Sequence, residues 1–293
     1  MTRPLVSIVT PSYNQAAFLE ETLRSVLERD YEPIEYVVVD DGSTDASPEL
    51  VQRYADRLAW WASEPDHGQA DALNKGFARS TGAYLGFLNS DDTLLPGAVT
   101  RLVGALERES DALVAFGDAL LVDERLGTTR LRRPEAWGVE AMTLRGGGTV
   151  VQPSSLWRRR AWELAGPFDA SYHFWFEVLF FLEVACSGSA TYVPEPLAAY
   201  RLHDHSKTVN ATSVAQSEET LRVADEYFAG ASLPEPLRRH ARTARALLYR
   251  RAAWGFYCSG EIGRARSALI RSLPLRPRMS RGTAKLLAKT LLR

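Results

Sequence analysis

The acidic and amide residues of two short segments are the part of this sequence best suited to chemistry. Asp40 and Asp41 come directly after an apolar run that ends at Val39, and residues 89–92 (NSDD) follow the apolar run YLGFL. Carboxylates gathered at strand ends repel one another unless a cation or a donor-rich ligand lies between them. Oxygen ligands of this kind suit Mg²⁺ or Mn²⁺, ions that keep waters and bridge phosphates. These residues therefore indicate a site for a nucleoside diphosphate with a divalent metal.

Each segment also has a simpler interpretation. Asp41 and Asp92 are typical turn or helix-capping residues, and DGSTD at positions 41–45 is a good turn followed by a cap. Two such segments, in order on successive predicted strands, favour the ligand site. A rival nucleotide motif is missing, because the segment after the first strand is PSYN and lacks the glycines of a dinucleotide or P-loop fingerprint. This argues against a dehydrogenase and a P-loop enzyme.

Alternating strand and helix patterns over the first 120 residues predict how these segments are positioned. Repeated strand–helix units imply an α/β fold with a mostly parallel sheet and helices on both faces. Ligands bind at the carboxyl ends of such strands. The predicted strands are Val6–Thr10, Ile34–Val39, Leu58–Ala62, Tyr84–Leu88 and Ala112–Phe116, and the predicted helices are Ala16–Leu27, Ser47–Tyr54, Gln69–Ala78 and a helix from Pro96 to about Arg108.

The second half of the chain has a different pattern. Residues 118–132 are typical of a hairpin or loop, residues 146–148 (GGG) of a hinge, and Phe174–Cys186 of an apolar helix. From about Thr212 the pattern is helical, and residues 242–277 resemble a single helical hairpin of the tetratricopeptide type, which is too little for a repeat array. We therefore predict a catalytic-type domain at 1–211 and a helical extension at 212–293.

Composition and charge set limits on the location and partners of the protein. Of 293 residues, 45% are hydrophobic and 24% charged, as in globular proteins. No apolar run has the length of a membrane span, and the N-terminus lacks a signal-peptide pattern. Cys186 and Cys258 have no metal or redox spacing, so a reducing cytoplasmic location is expected.

The net charge of -1 conceals a basic C-terminal region. Residues 238–293 contain fifteen Lys or Arg and one acid, Glu261. Residues 279–293 combine leucines with basic residues, which is typical of an amphipathic helix on the inner, anionic face of a membrane. The alternatives are a helix packed on its own domain or in a homodimer. The amphipathic residues are Lys285, Leu286, Leu287, Lys289, Leu291, Leu292 and Arg293.

Three segments together resemble the inverting glycosyltransferases of family 2, whose catalytic domain has the GT-A fold. They are 6–27 (VSIVTPSYNQAAFLEETLRSVL), 37–45 (VVVDDGSTD) and 63–92 (SEPDHGQADALNKGFARSTGAYLGFLNSDD). The resemblance is strong over residues 5–100, looser over 101–208, and does not extend to 212–293. It implies metal-assisted transfer of a sugar, with inversion, from a nucleotide-diphosphate sugar to an acceptor hydroxyl in glycan assembly. A UDP-sugar donor, a glycan or lipid-linked acceptor and no nucleic-acid partner are expected.

The resemblance also implies roles in binding the donor. Asp40 matches the carboxylate that contacts the base, and Asp41 is a weaker nucleotide contact. Asp91 matches the protein ligand of Mn²⁺ or Mg²⁺. Asn89 replaces the first Asp of the usual Asp-x-Asp pattern, so this position contributes no charge. The other implied donor-site residues are Pro11, Tyr13, Asn14, Asp66, Gly68, Gln69, Asn74, Lys75 and Ser90. The alternative for the segment around Asp71 and Lys75 is a packing helix with polar caps.

Two later elements supply the implied chemistry. GPFD at 166–169 resembles the element before the catalytic helix, and the acid eight positions later is Glu177, which would be the general base. The family usually has Asp there, and Glu183 is the alternative base. The YRLH segment at 200–203 resembles a closing element in which His203 approaches the diphosphate or metal. His205 is a second candidate, and Arg201 or Lys207 would offset leaving-group charge.

Two other functions remain open on sequence alone. A non-catalytic nucleotide-sugar binding or scaffold protein would act through its basic helical tail, with Asn89 and Glu177 as departures from an active ancestor. A nucleotidyltransferase of related architecture would need a glycine-rich, basic loop after the first strand, which residues 11–15 do not supply.

Overall fold

The computed structural model describes residues 3–28, 31–145, 150–204, 206–207, 212–276, 278 and 280–291. The chain forms two compact units. Unit 1 comprises Met1–Glu135, Val150–Phe176 and Ser187–His203, and unit 2 comprises Ala136–Thr149, Glu177–Cys186 and Asp204–Arg293. The functional division at residue 211 stays a prediction, and the hinge predicted at 146–148 lies outside the described residues.

Unit 1 is built on a nine-stranded sheet with the order β3-β2-β1-β4-β8-β6-β9-β5, and β7 pairs with β6. Strands β1–β4 are mutually parallel, and β9 is parallel to β6, whereas β5, β7 and β8 pair antiparallel with their neighbours. The strands are β1 Val6–Ser12, β2 Ile34–Asp40, β3 Trp60–Ser63, β4 Tyr84–Phe87, β5 Thr93–Leu94, β6 Ala112–Val122, β7 Thr128–Arg132, β8 Ser155–Arg158 and β9 Ser189–Arg201.

The predicted α/β class is confirmed, and the sheet is more mixed than the strand–helix pattern indicated. The first five predicted strands and the helices between them are present, and the hairpin predicted at 118–132 is formed by β6 and β7. The α-helices are α1 Ala16–Leu27, α2 Ser47–Arg53, α3 Gln69–Arg79, α4 Ala98–Arg108, α5 Val139–Arg145, α6 Arg159–Ala165, α7 Phe176–Ser187, α8 Val214–Arg222, α9 Glu235–Arg238, α10 Ala241–Cys258, α11 Ile262–Ser272 and α12 Arg281–Leu291.

The register of the first strands brings the acidic segments to one edge. Ser12 pairs with Asp40 across β1 and β2, and Val9 pairs with Phe87 across β1 and β4. Because these strands are parallel, their carboxyl ends open onto the same edge of the sheet, where ligands of open α/β folds bind. All residues of β1 and residues 36–40 of β2 are buried, which fits strands covered on both faces.

Helix α3 packs unusually closely on β1. A Cβ atom on Gly76 would lie 2.4 Å from Cγ1 of Val9, so glycine at this position permits the approach. Helix α3 begins at Gln69, which contacts Asn89 in one of the acidic segments. The packing therefore sets where the first turn of α3 lies.

Unit 2 contains a helical hairpin of α10 and α11, as the sequence pattern predicted. Gly260 takes a φ of +82° in the turn between them, a conformation that favours glycine. Arg242 donates to the carbonyls of Pro274 and Leu275, which follow the end of α11. Cations at a helix C-terminus satisfy carbonyls that have no partner within the helix. No helix in the described part of the chain has both the length and the apolar character needed to cross a bilayer.

We predict opposite effects for alanine at two helical glycines. Gly76→Ala lowers the free energy of unfolding by about 1–3 kcal/mol, because the new methyl group forces α3 away from Val9. Gly104→Ala in α4 raises it by about 0.5–1 kcal/mol, because its Cβ would meet only the flexible Arg108 guanidinium at 3.4 Å and alanine favours helix. Urea unfolding of both variants measures the difference; equal effects would contradict the packing argument.

Candidate functional site

The loop after β1 is tied to the turn after β2 by a set of short-range polar contacts. Asn14 has a φ of +51°, its backbone N–H donates to Ser43 Oγ at 2.7 Å, and its Oδ1 accepts from the Thr44 N–H at 2.9 Å. The Ala16 N–H at the start of α1 donates to Asp45 Oδ2 at 2.9 Å. The structure thus brings the predicted 11–14 and 40–45 segments together. Pro11 lies within buried β1, and the Tyr13 side chain is 57% exposed at the edge.

Asp40 organises the turn from inside. Its side chain is fully buried, and it accepts hydrogen bonds from the Ser43 N–H at 2.9 Å, the Ser43 hydroxyl at 2.6 Å and the Ser63 hydroxyl at 2.7 Å. Since both carboxylate oxygens have partners within the protein, Asp40 links the ends of β2 and β3. Its predicted contact with the base stays a prediction.

Asp41 and Asp66 form a second carboxylate pair nearer the edge. Asp41 Oδ1 accepts from the Asp66 N–H at 2.5 Å, and Asp66 Oδ1 accepts from the Gly68 N–H at 2.5 Å. Asp66 Oδ2 is buried with no hydrogen-bond partner among the described residues. Burial raises the pKa of the Asp66 carboxyl to about 6; the Gly68 N–H opposes this rise, and the charge on Asp41 adds to it. Asp66 therefore has acceptor capacity for a ligand N–H or O–H group.

Hydrogen bonds of the buried residues Thr22 and Asp92 fix the conformation of the 89–92 loop. The Thr22 hydroxyl lies 3.0 Å from the Ser90 carbonyl and 2.7 Å from the Asp92 carbonyl. Asp92 Oδ1 accepts from the Arg201 N–H at 2.9 Å, and burial followed by the charge on Asp91 raises the pKa of the Asp92 carboxyl well above its usual value. Asp92 is thus a structural residue of the loop, while Asp91 keeps a side chain that is 18% exposed.

Asp91 and His203 lie together, as the metal prediction requires. Asp91 Oδ2 is 3.0 Å from His203 Nε2, and the His203 ring packs on Phe18 with 4.8 Å between ring centroids. Adjacent ligands of an octahedral ion with bonds of about 2.1 Å are roughly 3 Å apart, so the two side chains fit as two ligands of one ion. Within the described residues, no group of three or more His, Cys, Asp or Glu side chains could hold an ion. Two protein ligands therefore fit a metal ion whose remaining coordination positions are filled by phosphate oxygens and waters.

Arg201 contacts the backbone of Asp91. The family resemblance implies that Arg201 or Lys207 offsets the charge of the leaving group. The Arg201 side chain is fully buried; it donates from Nε to the Asp91 carbonyl at 2.7 Å, from Nη1 to the Glu124 carbonyl at 2.5 Å and from Nη2 to the Glu21 carboxylate. The guanidinium carbon also lies 4.6 Å from the centroid of the Phe18 ring. With these partners, Arg201 holds the loop in place rather than facing a leaving group.

Glu21 and Thr22 are the site residues that sequence reasoning missed. Both lie on α1, and both support the 89–92 loop, Thr22 directly and Glu21 through Arg201. The one available signal was a polar residue, Thr22, among the apolar positions of an amphipathic helix.

The first turn of α3 also reaches the loop. Gln69 Nε2 donates to Asn89 Oδ1 at 2.6 Å, and Asn89 Nδ2 lies 3.5 Å from Asp92 Oδ2. Gly68 has a φ of +101°, and a Cβ atom there would lie 2.9 Å from Cε1 of His173. The neutral amide at position 89 therefore joins α3 to the loop without adding a charge beside Asp92.

Asn74 and Lys75, further along α3, already have partners. Asn74 donates to the Phe168 carbonyl at 2.8 Å and accepts from the Phe168 N–H at 2.9 Å. Lys75 Nζ is 3.6 Å from carboxylate oxygens of both Glu64 and Asp71. These contacts favour a positioning role for Asn74 and leave Lys75 as a partly exposed cation.

The predicted base belongs to unit 2. Glu177 is half-buried in the first turn of α7, and Glu183 on the same helix accepts a hydrogen bond from the Tyr227 hydroxyl. The second histidine candidate, His205, lies outside the described residues. This contact ties Glu183 to Tyr227 within unit 2, and the choice between the two carboxylates stays a prediction.

The pKa of Asp66 predicts a pH-dependent stabilisation by Asp66→Asn. The pKa of the Asp66 carboxyl is about 6 in the folded protein and near 4 in the unfolded chain. The folded state therefore binds the proton more tightly, and the free energy of unfolding of the wild type falls as the pH rises from about 4 through 6. The uncharged amide avoids this loss. Asp66→Asn should raise the melting temperature at pH about 8 and leave it almost unchanged at about pH 4, whereas exposed Asp56→Asn should do neither. A gain of equal size at both pH values would contradict the assignment.

Comparison with known proteins shows the family to which the chain belongs. Residues 7–162, more than half of the chain, match the Glycosyl transferase family 2 domain. The putative teichuronic acid biosynthesis glycosyltransferase TuaG of Bacillus subtilis is 41% identical over 125 residues, which cover 42% of this chain and 50% of TuaG.

Two solved structures share the fold. That of Staphylococcus aureus TarS 1-349 with UDP-GlcNAc matches with a TM-score of 0.69 at 16% identity, over 96% of this chain and 83% of that one. The mannosyltransferase PcManGT of Pyrobaculum calidifontis, with GDP-Man and Mn²⁺, matches with a TM-score of 0.61 at 19% identity, over 99% and 80%. The predicted GT-A architecture is confirmed, and by its sequence match and its fold the chain belongs to glycosyltransferase family 2.

Proposed function

We propose that the protein transfers a sugar from a nucleoside-diphosphate sugar, with a UDP-sugar favoured, to an acceptor hydroxyl with inversion of configuration, assisted by Mn²⁺ or Mg²⁺. The single observation that carries this proposal is the Asp91–His203 pair, held at the carboxyl edge of the sheet by buried Arg201. The similarity to TuaG, a putative teichuronic acid biosynthesis glycosyltransferase, supports a role in assembling a cell-surface glycan on a glycan or lipid-linked acceptor. A cytoplasmic location stays a prediction.

Asp91 and His203 would hold the metal ion. When bound, the ion neutralises charge that builds on the diphosphate leaving group. The complex of PcManGT with GDP-Man and Mn²⁺ supports the choice of a divalent ion. The protein contributes a fixed Asp91 carboxylate, because the backbone of this residue is anchored by Arg201 and its neighbours by Thr22. Because the Asp91 carboxylate is already held in place, metal binding would cost less conformational entropy than it would with a mobile side chain.

The nucleoside would lie against the turns that follow β1 and β2. Tyr13 presents an exposed ring there, and Asp66 presents a buried oxygen that has no donor among the described residues. An imide N–H of a pyrimidine base, or a ribose hydroxyl, supplies such a donor. We infer that Asp41 and Asp66 contact the nucleoside while Asp40 maintains the turn. Ser90 and Gln69 line the neighbouring part of the donor site.

Glu177 would take the proton from the acceptor hydroxyl as that oxygen attacks the anomeric carbon. The sugar–phosphate bond breaks on the opposite face, so one carboxylate suffices for a single displacement with inversion. The position of Glu177 eight residues after Asp169 supports this role through the family resemblance.

Nucleotide binding tests the metal site. Calorimetry with UDP, GDP and dTDP, each with Mn²⁺ and with EDTA, should show one nucleotide that binds at least about tenfold more tightly with the metal. Asp91→Asn should abolish the effect of the metal while leaving a weaker, EDTA-insensitive binding. The control Asp56→Asn should behave as wild type. Equal binding with Mn²⁺ and EDTA would contradict metal assistance, and no binding at all would favour the scaffold function.

A pair of matched variants tests the base. Glu177→Gln should reduce kcat for sugar transfer by roughly 10²–10⁴-fold with donor binding unchanged, because the amide accepts no proton. Glu183→Gln should retain most of the activity. Transfer by Glu177→Gln at the wild-type rate would contradict the base assignment, and the product anomer, read by NMR, decides between inversion and retention.

A further inference from the structure

The packing of α12 buries some of the residues that the sequence of 279–293 predicts to be exposed. Leu286 is buried against Ala253, Ala268 and Leu269 of the α10–α11 hairpin, and Leu287 is partly buried in the same cluster. These two leucines stabilise unit 2 and do not form the exposed apolar face predicted for residues 279–293. Of the other two leucines of that face, Leu291 is 58% exposed and Leu292 lies outside the described residues.

A different set of aromatic and basic side chains is exposed around Tyr257. The Trp254 ring stacks on Tyr257 with 6.1 Å between centroids and 26° between planes, and Trp254 is 54% exposed. Lys289 Nζ lies 5.8 Å from the centroid of the same Tyr257 ring. Lys285 is one helical turn before Lys289 and is exposed as well. We call Trp254, Tyr257, Lys285 and Lys289 the tail surface.

The charge of this region defines the partner it would attract. Residues 238–293 carry fifteen basic residues against Glu261 alone. Arg239, Arg264 and Arg271 pair with carboxylates of unit 2, whereas Lys285 and Lys289 present exposed ammonium groups. Two copies of the tail surface would repel each other, which disfavours a symmetric dimer through it. A negatively charged partner is complementary.

We propose that the tail surface binds anionic phospholipid headgroups at the surface of a bilayer. Tryptophan and tyrosine favour the membrane–water interface because their rings are apolar and their N–H or O–H groups are polar. Lysines extend from the interface to the phosphates on flexible apolar stems, and each adds electrostatic attraction. An exposed indole stacked on Tyr257, the ring that Lys289 approaches, thus fits a lipid surface better than a soluble polyanion, which offers no apolar layer. The proposal is independent of the proposed sugar transfer.

Vesicle cosedimentation of the full chain tests the proposal directly. The protein should bind vesicles of equal parts phosphatidylcholine and phosphatidylglycerol at least about tenfold more tightly than vesicles of phosphatidylcholine alone, and added salt should weaken the binding. Lys285→Gln/Lys289→Gln should weaken it roughly tenfold, and Trp254→Ala roughly fivefold. The charge-matched control Arg53→Gln/Arg160→Gln, on exposed residues of α2 and α6, should bind as wild type.

Several outcomes would overturn the proposal. One is failure of the wild-type chain to bind anionic vesicles, and another is equal binding to both vesicle types. A third is a control variant that loses as much affinity as the lysine variant. Sedimentation velocity adds a fourth, because loss of self-association in Trp254→Ala without vesicle binding would assign the surface to a dimer. Circular dichroism of each variant confirms that the helices remain folded.

Discussion

The buried guanidinium of Arg201 is the interaction on which the candidate site depends. It places a full positive charge behind the 89–92 loop and distributes its donors over the Asp91 carbonyl, the Glu124 carbonyl and the Glu21 carboxylate. Removing one partner of such a buried charge is destabilising, because the remaining charge is left uncompensated. The loop is therefore confined to one arrangement, and the Asp91 side chain is directed toward His203 before any ligand arrives.

The two acidic segments follow the same physical rule. In each pair of consecutive aspartates, one carboxylate is buried and satisfied inside the protein, and the other remains nearer the edge. Asp40 accepts from Ser43 and Ser63 while Asp41 contacts the Asp66 backbone; Asp92 accepts from Arg201 while Asp91 meets His203. The buried members, Asp40 and Asp92, thus hold the turns, whereas the proposed ligand contacts fall to Asp41 and Asp91.

Unit 2 uses its arginines in two ways. Arg242 satisfies carbonyl groups beyond the end of α11, and Arg264 and Arg271 form ion pairs with acids of unit 2 while lying over aromatic rings. The exposed lysines of α12 are separate from these structural contacts. A high positive charge in this region is therefore partly architectural, and only the part near Trp254 and Tyr257 supports a docking role.

The strand–helix alternation of the first 120 residues determined the class of the fold and the position of both acidic segments, because hydrophobic period and turn residues are local properties. The family resemblance likewise predicted that Asp91 and His203 belong to one site, and the structure places these residues, 112 positions apart, in contact. The antiparallel insertion of β8 between β4 and β6 and the burial of Arg201 and Leu286 were decided only by tertiary structure. Strand order, and the choice of which charged or apolar side chain becomes buried, depend on contacts between residues distant in the chain, which no local pattern encodes.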